Sequence, residues 1–126
     1  MKSMILGLGI DTVTISQVEG FLQNPNYALD IFTETEIQQA SESRDAADFL
    51  SGRFAAKQAL RKALEPLIHG TLDYLDVSII KTDYSQPVAV FDGELAQQVK
   101  EAGIREVKVS ITTEGDAATS IVIAQD

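Results

Sequence analysis

The chain has 126 residues, of which 44 % are hydrophobic and 23 % charged, with a formal net charge of −9 and no cysteine. That is one domain, residues 1–126, large enough for a single hydrophobic core. A disulfide framework, a thiolate nucleophile and a cysteine zinc site are excluded, the lone His69 rules out a multi-histidine metal centre, and the acidic balance argues against nucleic acid as a partner.

In chain order, Met4 to Ile15 reads as a strand, mostly apolar and β-branched towards its end. Its apolar run, Met4 to Ile10, is broken by Gly7 and Gly9. It is too short to span a membrane and has no signal-peptide cleavage pattern, so the chain is expected in the cytoplasm, without a membrane partner. Asp11 interrupts this strand. A turn or edge position is its default reading, but a carboxylate in an apolar strand is costly to bury unless it is paired or binds a cation. Ser16 to Leu22 starts a short helix with Ser16 as N-cap, and Gln23 to Asn26 is read as a loop. Thr33-x-x-Glu36 fits a capping box opening a helix to about Ala40. Ser41 to Arg44 reads as a loop.

Asp48 to Leu64 is the longest predicted helix, capped by Asp45 or Ser43 and ending near Glu65-Pro66. Phe49, Ala56, Ala59, Leu60, Ala63 and Leu67 fall on one side of it, the spacing of a core-facing surface. Arg53, Lys57 and Arg61 follow each other at i, i+4 and i+8 beside that face, and Lys62 adds a fourth cation. Two readings of this cluster stand side by side. It is a solvated flank whose late cations suit the helix dipole, or a rigid stripe that holds phosphate groups.

His69-Gly70 reverses the chain, and His69 reads as a surface or capping residue. Leu75 to Lys81 alternates as a strand, Tyr84 to Pro87 is a turn, and Val88 to Phe91 is a short strand with Pro87 at its start. Gly93 to Ala102 is an amphipathic helix closed by Gly103. Val107 to Thr113 and Ala117 to Ala124 form a hairpin across Glu114-Gly115-Asp116. The order β-α-α-α-β-β-α-β-β has no regular βαβ repeat. It predicts an α+β fold, an antiparallel-rich sheet packed on a long central helix.

Three segments together resemble a known family. They are Gly7-Leu8-Gly9-Ile10-Asp11, Phe32-Thr33-x-x-Glu36, and Gly52-Arg53-Phe54-Ala55-Ala56-Lys57-Gln58-Ala59-x-x-Lys62-Ala63. Pro87 before a short strand and the terminal hairpin fit as well. The chain resembles the phosphopantetheinyl transferases of the small, holo-acyl-carrier-protein-synthase type over nearly its full length. The resemblance implies that fold, with transfer of phosphopantetheine from coenzyme A to a serine of an acyl carrier protein. It also implies a magnesium ion between the first-motif aspartate and the helix-motif glutamate, and a homotrimer with active sites between subunits.

Carried over, Asp11 and Gln58 would be metal ligands, and Lys62 with Gln58 would be the catalytic pair. Arg53, Lys57, Lys62, Ser110 and Thr112 would meet coenzyme A. On this reading Asp11 and Lys62 are expected to meet across an interface, and Glu36 or Glu114 could assist the metal. The chain departs from the family pattern at several of these places. Gln58 stands where the family has glutamate, so a metal there loses a formal charge and a base is lost. Thr113 stands where the family often has His or Asp. Gln17 replaces an arginine that grips the carrier, and Gln86 replaces a turn cation. The alternative implied is a catalytically inactive homologue that binds coenzyme A or a carrier protein, or serves as an assembly module.

Overall fold

A computed structural model describes residues 3–83 and 86–126. Strand β1, Ile5–Thr14, opens the chain, and four helices follow: α1 Ile15–Leu22, α2 Pro25–Ile31, α3 Glu34–Ser41 and α4 Ala46–Leu64. A 3₁₀ turn at Tyr74–Asp76 leads into β2, Val77–Ile80, and β3, Val88–Phe91. Helix α5, Gly93–Glu101, then β4, Glu106–Glu114, and β5, Ala117–Gln125, complete it. All strand pairs are antiparallel, in a three-stranded sheet of order β1-β5-β4 and a two-stranded sheet β2-β3. The α+β expectation, with the sheet laid on the long helix, holds.

The helix boundaries depart from the sequence reading at their starts. Thr14, not Ser16, caps α1, its hydroxyl accepting from the Gln17 N–H, while the Ser16 hydroxyl donates to Asp116 at 2.6 Å. The loop expected from Gln23 is a helix from Pro25. Asn24 caps it and Pro25 takes the first turn, where a missing N–H costs nothing. Asp45 caps α4, accepting from the Asp48 N–H, so the helix starts two residues earlier than predicted. The strand expected from Leu75 gives its first residues to the 3₁₀ turn. The expected turn at Tyr84 to Pro87 lies partly outside the described residues. The Thr33–Glu36 capping box forms as predicted.

Helix α4 is buried around most of its circumference, which the single apolar stripe did not imply. Ala56, Ala59, Leu60 and Ala63 face the sheets and α5 in one cluster with Val77, Ile79 and Val122. Leu50, Phe54 and Ala55 face a second cluster with Val18, Ile31 and Phe32 from the helices before it. Phe49 and Leu67, expected inward, are half-buried.

Strand β1 crosses α4 at backbone distance. A Cβ on Gly9 would strike the Ala59 carbonyl oxygen, and one on Gly7 the Ala63 carbonyl oxygen. The two glycines therefore let strand and helix touch, four helical residues for every two along the strand. Asp11, the next residue on that side of β1, is thereby brought against the helix.

Candidate active site

The cations of α4 form neither a solvated flank nor an open phosphate stripe. Lys57 is fully buried, and its ammonium donates to the Ile31 and Tyr74 carbonyl oxygens, each at 2.7 Å, and pairs with Glu36 at 2.6 Å. Those three contacts match the three N–H donors of a lysine, so Lys57 has none left for a phosphate. Burial lowers its pKa from the ordinary lysine value, and the Glu36 charge pulls it back. Glu36, considered as an aid to a metal, is likewise enclosed. One oxygen closes the capping box and the other accepts from the Ile79 N–H at 2.8 Å.

Arg53 is nearly buried. Its Nε donates to the Ile79 carbonyl oxygen at 3.0 Å and its guanidinium stacks on the Phe49 ring at 3.8 Å. Burial lowers its pKa to about 10, opposed by Glu36, so it is charged at neutral pH. It reaches the floor of a cleft of about 190 Å³ that Arg44, Asp48, Ile111 and Thr113 also line. Arg61 donates to the Leu72 carbonyl oxygen at 2.9 Å, pairs with Glu65 at 3.3 Å and lies 4.0 Å over the Tyr74 ring. These three cations thus hold backbone carbonyls of segments packed around the helix.

Lys62 is the one of the four left open, with 57 % of its side chain exposed. It lies 3.5 Å from Asp11 and donates to the Ile10 carbonyl oxygen at 3.1 Å. The pair forms within one chain, which corrects the expectation of a meeting across an interface. It follows from the glycine crossing, which lays β1 along α4 so that the long Lys62 side chain reaches Ile10 and Asp11. Gln58 is one turn earlier on that helix, at i−4 from Lys62, and its side chain lies close enough to Tyr74 to act on the phenol. Burial raises the Tyr74 phenol; Arg61 works against this, while Asp11 and Glu65 add to it and the Gln58 contact lowers it. Asp11, Gln58, Lys62 and Tyr74 therefore share one corner. Tyr74 carried no sequence signal, because only the fold of residues 65–76 returns it to α4.

The corner offers a divalent cation two side-chain oxygen donors, one charged on Asp11 and one neutral on Gln58. Among the described residues no group of three or more His, Cys, Asp or Glu is gathered to bind a metal. This donor set suits magnesium, which takes one or two protein oxygens and completes its shell with phosphate and water. It does not suit a metal bound by protein alone. Asp11 Oδ1 also accepts from the Thr12 N–H at 2.9 Å, the same oxygen that meets Lys62.

Ser110 and Thr112 are not brought to this corner. They are exposed on the sheet face that points away from α4, opposite Ile121 and Thr119 of β5. Asp11 is on β1, two strands away, and on the inner face. Glu114 lies at the exposed end of β4, paired with Ala117.

Comparison with known proteins follows the same outline. A family model described as the 4′-phosphopantetheinyl transferase superfamily matches residues 7–121. The holo-(acyl-carrier-protein) synthase of Treponema denticola is 34 % identical over 123 residues, 97 % of this chain and 99 % of that protein. The crystal structure of the corresponding Neisseria meningitidis enzyme superposes with a TM-score of 0.89 at 26 % identity, covering 98 % of this chain and 100 % of that one. The Bacillus anthracis synthase, solved in complex with coenzyme A (3′,5′-ADP), superposes with a TM-score of 0.78 at 27 % identity, covering 98 % of each chain.

Proposed function

From a chain that belongs to the 4′-phosphopantetheinyl transferase superfamily, we propose that it transfers phosphopantetheine from coenzyme A to a serine of an acyl carrier protein. The observation that carries this reading is the Asp11–Lys62 pair at 3.5 Å, with Gln58 one helical turn away. In the transfer, the serine oxygen forms a bond to the phosphorus next to pantetheine. The bond from that phosphorus to the bridging oxygen breaks, and its electron pair leaves with 3′,5′-ADP.

Each residue of the corner has work in that step. The exposed Lys62 ammonium meets the phosphate charge and stabilises it as the bond breaks. Asp11 and Gln58 would hold a magnesium ion, which when bound neutralises pyrophosphate charge. Gln58 cannot take a proton, so the serine proton passes to Asp11 or to water. Arg53, set rigidly at the base of its cleft, offers the guanidinium edge not engaged by Ile79 to a further phosphate.

Ser110 and Thr112 take part through a neighbouring copy. Their exposed face carries Leu8, Ile10 and Ile121, at 62 %, 56 % and 42 % exposure, the apolar surface a homotrimer would cover. A site that draws Asp11 from one chain and Ser110 from the next is consistent with their separation within one chain. With coenzyme A and a carrier protein as substrates, the proposed activity belongs to the cytoplasm.

The test mixes purified protein, magnesium, coenzyme A and several apo carrier proteins. A phosphopantetheine mass gain on one carrier is expected; its absence on all of them counts against transfer. A second reading is favoured by the amide at Gln58: a module that binds coenzyme A without turnover. Calorimetry separates the two, since that module binds coenzyme A yet leaves every carrier unmodified.

A further inference from the structure

The segment Leu72 to Tyr74 is fastened to one helix at every turn. Lys57 holds the Tyr74 carbonyl oxygen at 2.7 Å, Arg61 holds the Leu72 carbonyl oxygen at 2.9 Å, and Glu65 accepts from the Leu72 N–H at 3.0 Å. The Tyr74 ring is gripped as well. Phe54 meets it edge-on at 6.1 Å between centroids, and the Arg61 guanidinium covers its face at 4.0 Å. Phe54, Gln58 and Arg61 follow each other at i, i+4 and i+7, one face of α4. A ring that touches the first and last of them lies beside the middle one. The phenol is thus carried to Gln58 by a scaffold that leaves it little freedom.

Gln58 has a need that a glutamate in its place would not have. A carboxylate shows a cation the same oxygen whichever way it turns. An amide shows either its oxygen or its NH₂, and the second repels a cation. We infer that Tyr74 is a positioning residue: its oxygen accepts a hydrogen bond from the Gln58 NH₂ and so keeps the Gln58 carbonyl oxygen towards Asp11, where a divalent cation is held. This rests on the reading of the Asp11–Gln58 corner as a magnesium site, and it gives the tyrosine hydroxyl a task tied to the amide.

The test titrates magnesium into the coenzyme A-saturated protein by calorimetry, with no carrier present. Tyr74→Phe keeps the ring under Arg61 and against Phe54, so the thermal midpoint stays close to that of the parent. Its magnesium affinity falls about tenfold, the scale of losing a residue that orients a ligand. In a Gln58→Glu background the same Tyr74→Phe change costs less than about twofold, because the orientation no longer matters. Equal magnesium affinity in parent and Tyr74→Phe overturns the inference, as does an equal loss in both backgrounds. A parent that binds coenzyme A but no magnesium overturns this inference together with the metal part of the proposed site. A parent that binds magnesium yet modifies no carrier counts against transfer alone.

Discussion

Lys57 and Glu36 are both fully enclosed, 2.6 Å apart, and each is needed to make the other tolerable. Removing the lysine leaves a carboxylate in the core without its counter-charge. Lys57→Met is expected to destabilise the chain by about 3–5 kcal/mol, read from the midpoint of urea unfolding. Adding Glu36→Gln should return much of that loss, since no bare charge then remains; if the double variant is no more stable than the single one, the pair is not the cause. Gln58 sits next along the helix and its effect is chemical. Gln58→Glu is expected to tighten magnesium binding roughly tenfold, about 1.4 kcal/mol, through the added formal charge. Calorimetry in the presence of coenzyme A measures it, and an unchanged affinity would remove Gln58 from the metal site. At this scale the sequence marked Asp11, Gln58 and Lys62 as candidates from their motifs. It could not mark Lys57 as internal, because a cation on a helix looks the same whether carbonyl groups or water surround it.

The crossing of β1 over α4 is the element-scale feature that brings Asp11 within reach of Lys62. Gly9→Ala puts a methyl group into the Ala59 carbonyl, and the strand must lift. A loss of roughly 1–3 kcal/mol in denaturant unfolding is expected, together with weaker coenzyme A binding, as Asp11 moves off Lys62. Gly20, in α1, has open space around it, so Gly20→Ala is expected to gain about 0.5–1 kcal/mol. If the two changes have equal effects, close packing is not what Gly9 provides. Elements whose signals are local were legible: the Thr33–Glu36 capping box, the Asp45 cap and the terminal hairpin. Helix α2 was missed because Asn24-Pro25 reads equally well as a turn and as a cap followed by proline at the first helical position.

For the whole molecule, the uncovered outer face of the β1-β5-β4 sheet is the feature that calls for a partner. Ile10 and Ile121 are directly opposite each other on it, and Leu8 is two residues along β1. Sedimentation equilibrium is expected to return three times the chain mass, and Ile121→Glu to shift the protein towards monomer with its helical circular dichroism intact. A monomeric parent would leave Ser110 and Thr112 without a site to serve. The sequence by itself determined the α+β class and the order of the main elements, and it marked Asp11, Gln58 and Lys62 as candidates. These depend on periodicity, caps and short motifs that neighbouring residues carry among themselves. Tertiary structure alone decided that Arg53 and Lys57 turn inward, that Tyr74 reaches Gln58, and that Ser110 and Thr112 face away. Periodicity tells which side chains share a face; what that face meets depends on burial and hydrogen bonding satisfied across the entire chain.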